Sequence, residues 1–216
     1  MDKTKPIAVL FDFDGVVMDT ETQYTVFWNK IGKEYYPEMK DFGMIIKGMT
    51  LVQIYDKYFQ GRTDDQRVIT AGLTEFETKM SFNYIDGAVD FMRSLKEKGI
   101  RSAIITSSNL PKMANVYAAH PELKELVDRI LTSENFTRSK PFPDCFLLGA
   151  EVLGTVPENC IVFEDSFHGL QAGNAAGMKV VGLSTTNPAE AIADKCSQVI
   201  SDFTAYTCED MLSLLE

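Results

Sequence analysis

The chain has no apolar run near the roughly 18 residues that a membrane-spanning helix requires, and residues 1–6 do not have the layout of a secretory leader. Neither a spanning helix nor an export signal is therefore expected, and the cytoplasm is the expected compartment. Cysteine is scarce. Cys145, Cys160, Cys196 and Cys208 form no Cys-x-x-Cys pair and lie in or beside apolar segments, which suits small buried hydrophobes better than metal ligands or a disulfide framework. Basic residues are outnumbered, 21 Lys and Arg against 31 Asp and Glu, leaving a formal charge of −10. Long-range electrostatics then disfavours nucleic acid and anionic membrane as partners. A small phosphorylated metabolite fits only where local cations overcome that field. There is no internal repeat, no low-complexity tract and no Gly-x-Gly-x-x-Gly opening a helix.

What is present reads as globular: 216 residues, 45% hydrophobic and 24% charged, enough for one ordinary core with a smaller insert, expected as a monomer or weak homo-oligomer. Such a chain buries roughly 70% of its unfolded surface. The run Ile7-Ala8-Val9-Leu10-Phe11, between Pro6 and the sequence Asp12-Phe13-Asp14-Gly15, fits a strand covered on both faces. Alternation along an extended chain would bring Asp12 and Asp14 out on one side at its carboxyl end. Two carboxylates held that close repel, so a divalent cation or a retained proton must offset them. Taken alone, Asp-x-Asp also fits a turn or a solvated rim. An EF-hand loop is excluded, because Val16 stands where an oxygen ligand belongs.

Residues 20–82 contain helix-like segments only, at 20–35, 51–59 and 64–80, with Tyr24, Phe27, Trp28 and Ile31 at helical spacing. From Asp86, read as the cap of a helix ending at Gly99, strands and helices alternate. Strands are expected at 101–106, 129–132, 160–163, 179–183 and 198–200, with helices at 111–119, 144–153, 167–176, 188–194 and 209–215. The pattern predicts an α/β fold, Rossmann-like and doubly wound, with a mostly parallel sheet (residues 1–18 and 84–216) and an inserted all-helical cap domain (19–83) over the carboxyl ends of the strands. The cleft between them is the expected site.

Further polar groups fall at successive strand ends. Thr106-Ser107-Ser108-Asn109 precedes a helix and reads as an anion cradle or as an N-cap. Lys140 stands between Ser139 and Pro141, either a site lysine or an exposed loop lysine. Glu164-Asp165-Ser166 ends an apolar strand and suits metal ligation or helix capping, and Gly169, Gly173 and Gly177 let the next helix approach the sheet.

In this order the motifs resemble the haloacid dehalogenase superfamily of phosphotransferases, over essentially the whole chain. The insert is similar to that of the branch containing β-phosphoglucomutase and small sugar-phosphate phosphatases. The resemblance implies that Asp12 is the nucleophile and Asp14 the general acid and base, its carbonyl helping to hold Mg2+. It implies that Thr106 and the Ser107 amide bind phosphate, that Lys140 neutralises the transferring group, and that Asp165 and Glu164 complete the magnesium site. Asp14 favours phosphoryl transfer over dehalogenation, since a halide leaves unprotonated. In the insert, Tyr24, Trp28, Lys47, Gly48 and Thr50 are the candidate substrate contacts, with Trp28 read first as core. Leu51 falls where β-phosphoglucomutase carries a phosphate-holding arginine, and Tyr24 replaces its histidine, so a phosphatase for a small phosphorylated sugar or polyol is expected over a mutase. Lys47 or Lys79 would be a substitute charge for a mutase, and a non-catalytic metabolite-binding module is the reading from another class.

Overall fold

In the computed structural model, which describes residues 4–47 and 49–216, the chain runs β1 (Ala8–Phe11), α1 (Glu21–Tyr35), α2 (Phe42–Ile45), α3 (Leu51–Tyr58), α4 (Thr63–Glu77), α5 (Ala88–Glu97) and β2 (Arg101–Ile105). It continues through α6 (Leu110–Ala119), α7 (Leu123–Leu126), β3 (Arg129–Leu131), α8 (Asp144–Val152), β4 (Cys160–Glu164), α9 (Phe167–Ala175), β5 (Lys179–Leu183), α10 (Ala189–Ile192), β6 (Gln198–Ile200) and α11 (Cys208–Ser213). Among the described residues the strands form one six-stranded sheet in the order β3-β2-β1-β4-β5-β6, and every pairing is parallel. This is the doubly wound arrangement that the alternation predicts. Its strand order reverses direction between β1 and β4, where open sheets of this kind leave a crevice for ligands.

Strand parity sorts the core into two layers. Val9 and Phe11 of β1 join Ile104, Ile161, Phe163 and Val181 on one face, beneath α5, α6 and α11. Ala8 and Leu10 join Ala103, Ile105, Val162 and Val180 on the other, beneath α8 and α9. Both faces being covered, the strands read as unbroken apolar runs. An aromatic group anchors the first layer: Phe91 stacks on Phe203 at 5.1 Å and meets Phe11 and Phe163 edge-on.

The helices between β1 and α5 carry a core of their own, built from Trp28, Ile31, Phe42, Ile46, Ile54, Phe59 and Ile69. Two adjacent chain segments tie them to the sheet, held by Asp19 N–H to Asn83 O (2.8 Å) and Ile85 N–H to Val17 O (3.0 Å).

The short helices α2 and α7 are not among the expected elements, since four residues carry too little periodicity. Asp86 does not cap α5. Gly87 takes the N-cap position in the left-handed region (φ 76°), with no side-chain cap bond, while the Asp86 carbonyl accepts from Phe203 N–H. β1 stops at Phe11, Phe13 forms a bend, and Asp14 pairs in an isolated bridge with Met18 just before a turn closed by Val17 N–H to Phe13 O.

Replacing Phe91 by Ala removes the ring on which Phe203 and the strand aromatics close. A loss of about 3–5 kcal/mol is expected, read as a lowered midpoint in urea denaturation with a native-like circular dichroism spectrum.

Candidate active site

Register places the site. Phe11 pairs with Phe163 and with Ile104, so Asp12 comes level with Glu164 on one side and the end of β2 on the other. The Asp12 amide continues the ladder by donating to Phe163 O at 2.9 Å. Lys140, on the loop before α8, reaches into this row. Its ammonium donates to Asp12 Oδ1 and, at 2.6 Å, to Glu164 Oε1, and the lysine is only 3% exposed. The exposed-loop reading of Lys140 is thereby overturned.

Glu164 is fully buried and its second oxygen, Oε2, accepts from the Asp165 and Ser166 amides at 2.8 Å each and from Ser166 Oγ at 3.0 Å. Gly169 makes room for it: a Cβ there would lie 1.7 Å from Glu164 Oε1. Gly15 does the same for Asp165, since a Cβ would lie 2.1 Å from Oδ2, and its φ of +80° favours glycine in any case.

Ligand oxygens of Asp12, Glu164 and Asp165 lie within 4.8 Å of one another, all three residues buried. Among the described residues, Asp165 Oδ2 is buried with no hydrogen-bond partner. Burial pushes the Asp12 carboxyl up to about 8 despite the adjoining Lys140 ammonium, with Glu164 and Asp14 adding to the rise. Asp165 is raised well above the usual range by burial and by the charges of Glu164, Glu21 and Asp12. Three clustered carboxylates against one lysine leave excess negative charge, and an orphaned carboxylate oxygen points for a partner. Hard oxygen donors of this kind fit a divalent cation.

Asp14 is separate from that cluster. Its Oδ1 accepts from Thr20 Oγ1 and from Lys112 Nζ (2.5 Å), its Oδ2 from Ser108 Oγ (2.9 Å). Burial would raise its pKa, but Lys112, Thr20 and Ser108 together hold it below the usual carboxylate range.

Asp12, Glu164 and Asp165 line one cavity of about 660 Å³ between the strand ends and the helical segment together with Asp14, Ser108 and Lys112, while Thr20 is buried behind it. Ser107, Ser108 and Asn109 are on its wall. Thr106 is fully buried behind them, its hydroxyl accepting from Ser108 N–H at 3.0 Å, so it shapes the loop instead of facing the cavity. From the helical segment come Tyr24, Trp28, Lys47 and Thr50. Trp28 answers both readings, since it belongs to the helical core and to the wall. Thr50 caps α3 and Lys47 lies 3.7 Å from Glu21. Gly48 lies outside the described residues. Lys79 is turned to solvent on Glu75 (2.6 Å) and supplies no charge to the cavity.

Lys112, Glu21, Gln53 and Arg138, none of them a candidate from the sequence, also stand on the wall. Lys112 left one signal: a cation in the first turn of a helix opposes its dipole, so something outside the helix must favour it. Glu21 left none, because a glutamate in a first turn is ordinary there. Burial, with Asp14 nearby, pushes Glu21 up to about 7 against the pull of Lys47. Gln53 Nε2 donates to Lys140 O at 3.1 Å, the direct link from α3 to the lysine loop. Arg138 makes a two-pronged pair with Asp144 (2.8 and 2.9 Å) and lies over the Phe142 ring at 4.8 Å.

The profile described as Haloacid dehalogenase-like hydrolase matches residues 9–183, and the chain belongs to that family. It is 28% identical over 186 residues to Hexitol phosphatase A of Escherichia coli (strain K12), covering 81% of this chain and 82% of that one. Over 179 residues it is 29% identical to the Fructose-1-phosphate phosphatase YqaB of the same organism, covering 81% and 94%. Among solved structures, a HAD hydrolase, family IA, variant 3 from Entamoeba histolytica HM-1:IMSS superposes with a TM-score of 0.82 at 24% identity, over 97% of this chain and 99% of that one.

A divalent cation that binds the acidic cluster stabilises the fold by mass action, about 2.7 kcal/mol at 100 times its Kd. Thermal melting is expected to rise on its addition, and Asp165→Asn or Gly169→Ala to blunt the response, the latter by driving the Glu164 carboxylate out of place.

Proposed function

We propose that the protein is a Mg2+-dependent phosphatase that hydrolyses the phosphate ester of a small sugar or polyol through an aspartyl-phosphate on Asp12. The observation that carries this reading is the placement of two carboxyl groups with opposite surroundings on one cavity: Asp12 in the acidic cluster against Lys140, Asp14 ringed by Thr20, Ser108 and Lys112. The names of the two E. coli relatives, a hexitol and a fructose-1-phosphate phosphatase, support the same substrate class.

In the first step an oxygen of the ionised Asp12 attacks phosphorus, the ester P–O bond breaks, and Asp14, ionised in the empty site and protonated by the incoming phosphate monoester, passes that proton to the departing oxygen. In the second, water attacks the aspartyl-phosphate, Asp14 takes the water proton, and the P–O bond to Asp12 breaks, releasing inorganic phosphate and restoring both carboxyl groups. Covalent transfer replaces one hard displacement by two easier ones. Lys140 keeps Asp12 oriented and offsets charge on the transferring group, and the Ser107–Asn109 loop faces the phosphate with Thr106 supporting it. Asp12, Asp165, Glu164 and the Asp14 carbonyl would hold Mg2+, which supplies charge neutralisation at the phosphoryl oxygens. Residues 19–83 act as a cap that excludes water from the cavity, with Gln53 on the Lys140 carbonyl as one contact that holds it down. Tyr24, Trp28, Lys47 and Thr50 then face the alcohol portion of the ester.

A mutase must hold a second phosphate, which calls for an uncommitted cation. Among the described residues on the wall, Lys47, Lys112, Arg138 and Lys140 each already pair with a carboxylate, and Leu51 is apolar. The remainder of the substrate is therefore read as uncharged and hydroxyl-rich.

Hexitol, ketose and aldose phosphates supplied with Mg2+ should release inorganic phosphate, and Asp12→Asn should abolish the release. Asp14→Asn should lose about 10²–10⁴-fold on alkyl esters and far less on p-nitrophenyl phosphate, whose leaving group needs no proton. Release no greater than in the Asp12→Asn control on every ester would remove the proposal, and bisphosphate-dependent isomerisation without release would favour the mutase.

A further inference from the structure

Lys112 is a buried cation, 3% exposed, whose ion pair is with Asp14 at 2.5 Å. Long charged side chains are rarely buried unless paired, and the cost of burial is recovered only with good geometry. Here the ammonium is boxed in. The Phe13 ring lies 5.5 Å from it on the sheet side, and the Tyr24 ring lies 4.6 Å from it on the side of the helical segment. Tyr24 is itself fixed by a hydrogen bond from its hydroxyl to Glu77 at 2.8 Å. The Lys112 amide is anchored too, donating to the Asn109 side chain at 3.0 Å as α6 begins.

The other two donors to Asp14, the hydroxyls of Thr20 and Ser108, can each rotate away. Lys112 is the donor with a charge and with fixed walls. The acidic cluster has its own cation in Lys140, which bonds Asp12 and Glu164.

We infer that Lys112 is the positioning residue for Asp14: clamped between Phe13 and Tyr24, it holds that carboxyl group where it meets the ester's leaving oxygen, and Tyr24 of the helical segment helps it do so. The inference rests on the phosphatase reading above. It makes the acid–base half of the site, and not the phosphate-holding half, depend on contact between helical segment and sheet. Lys112 then matters in proportion to how much the leaving oxygen needs a proton.

The test compares Lys112→Met, Lys112→Arg and Tyr24→Leu with wild type on two aryl esters, p-nitrophenyl phosphate and phenyl phosphate, and on sorbitol 6-phosphate. For Lys112→Met the expected loss in kcat is about 10²-fold on phenyl phosphate and on the alkyl ester, and under about tenfold on p-nitrophenyl phosphate, the leaving-group pattern of a lost general acid. KM and inhibition by inorganic phosphate should stay within about threefold, Lys112→Arg should restore most of the rate, and Tyr24→Leu should show the same pattern more weakly. Melting curves establish that each variant is folded, and if Lys112→Met fails to fold, the Arg and Tyr24 variants decide. Equal losses on both aryl esters would overturn the inference, as would a large rise in KM with weakened phosphate inhibition, which would make Lys112 a phosphate ligand. Activity that survives in Asp12→Asn would overturn the phosphatase reading itself, and this one with it.

Discussion

The ammonium of Lys140 lies between the carboxylates of Asp12 and Glu164, joining segments 128 and 24 residues away from it along the chain. Removing one partner of such a buried set strands the others without compensation, typically at a cost of about 3–5 kcal/mol. The surroundings are arranged around that contact. Asp12 is carried to it by the β1–β4 register, Glu164 is steadied by the amides and hydroxyl that follow it, and Gly169 leaves space for the glutamate that no other residue would leave. These fixed partners hold the carboxylates of the cluster in one arrangement.

Charge divides the cavity into two halves. Around Asp12, Glu164 and Asp165 negative charge exceeds what the lysine balances, and burial keeps the Asp12 and Asp165 carboxyls raised. Around Asp14 the donors match the acceptor, and the carboxyl is held low. Two groups of one chemical type, only Phe13 between them in sequence, thus acquire opposite protonation tendencies from their neighbours. The cations of the wall are used in setting up this contrast, which leaves hydroxyls, aromatic faces and the Glu21 and Glu77 carboxylates to meet the uncharged part of a ligand.

The helical segment bears on both halves through few contacts. Gln53 touches the backbone of the lysine that serves Asp12, and Tyr24 covers the lysine that serves Asp14. Its own aromatic core lets it act as a unit, while the paired linkers at Asp19–Asn83 and Val17–Ile85 attach it beside the very turn that presents Asp14. Movement of the segment therefore cannot leave the site indifferent.

The doubly wound sheet was legible because apolar strand runs and turn residues are local signals, and the acidic pairs were legible because they interrupt such runs at strand ends. Asp12, Asp14, Lys140, Glu164 and Asp165 all line the cavity, as their positions in the sequence implied. Lys112, Glu21, Gln53 and Arg138 were not legible, nor was the withdrawal of Thr106 behind its loop, because each depends on which side chain from a distant segment arrives opposite. Local chemistry along the chain determines that a row of acidic and hydroxyl-bearing residues will form at the carboxyl ends of the strands. Only the folded packing decides which cation meets which carboxylate, since charges interact through space at a few ångströms and the spacing of residues along a chain does not encode those distances.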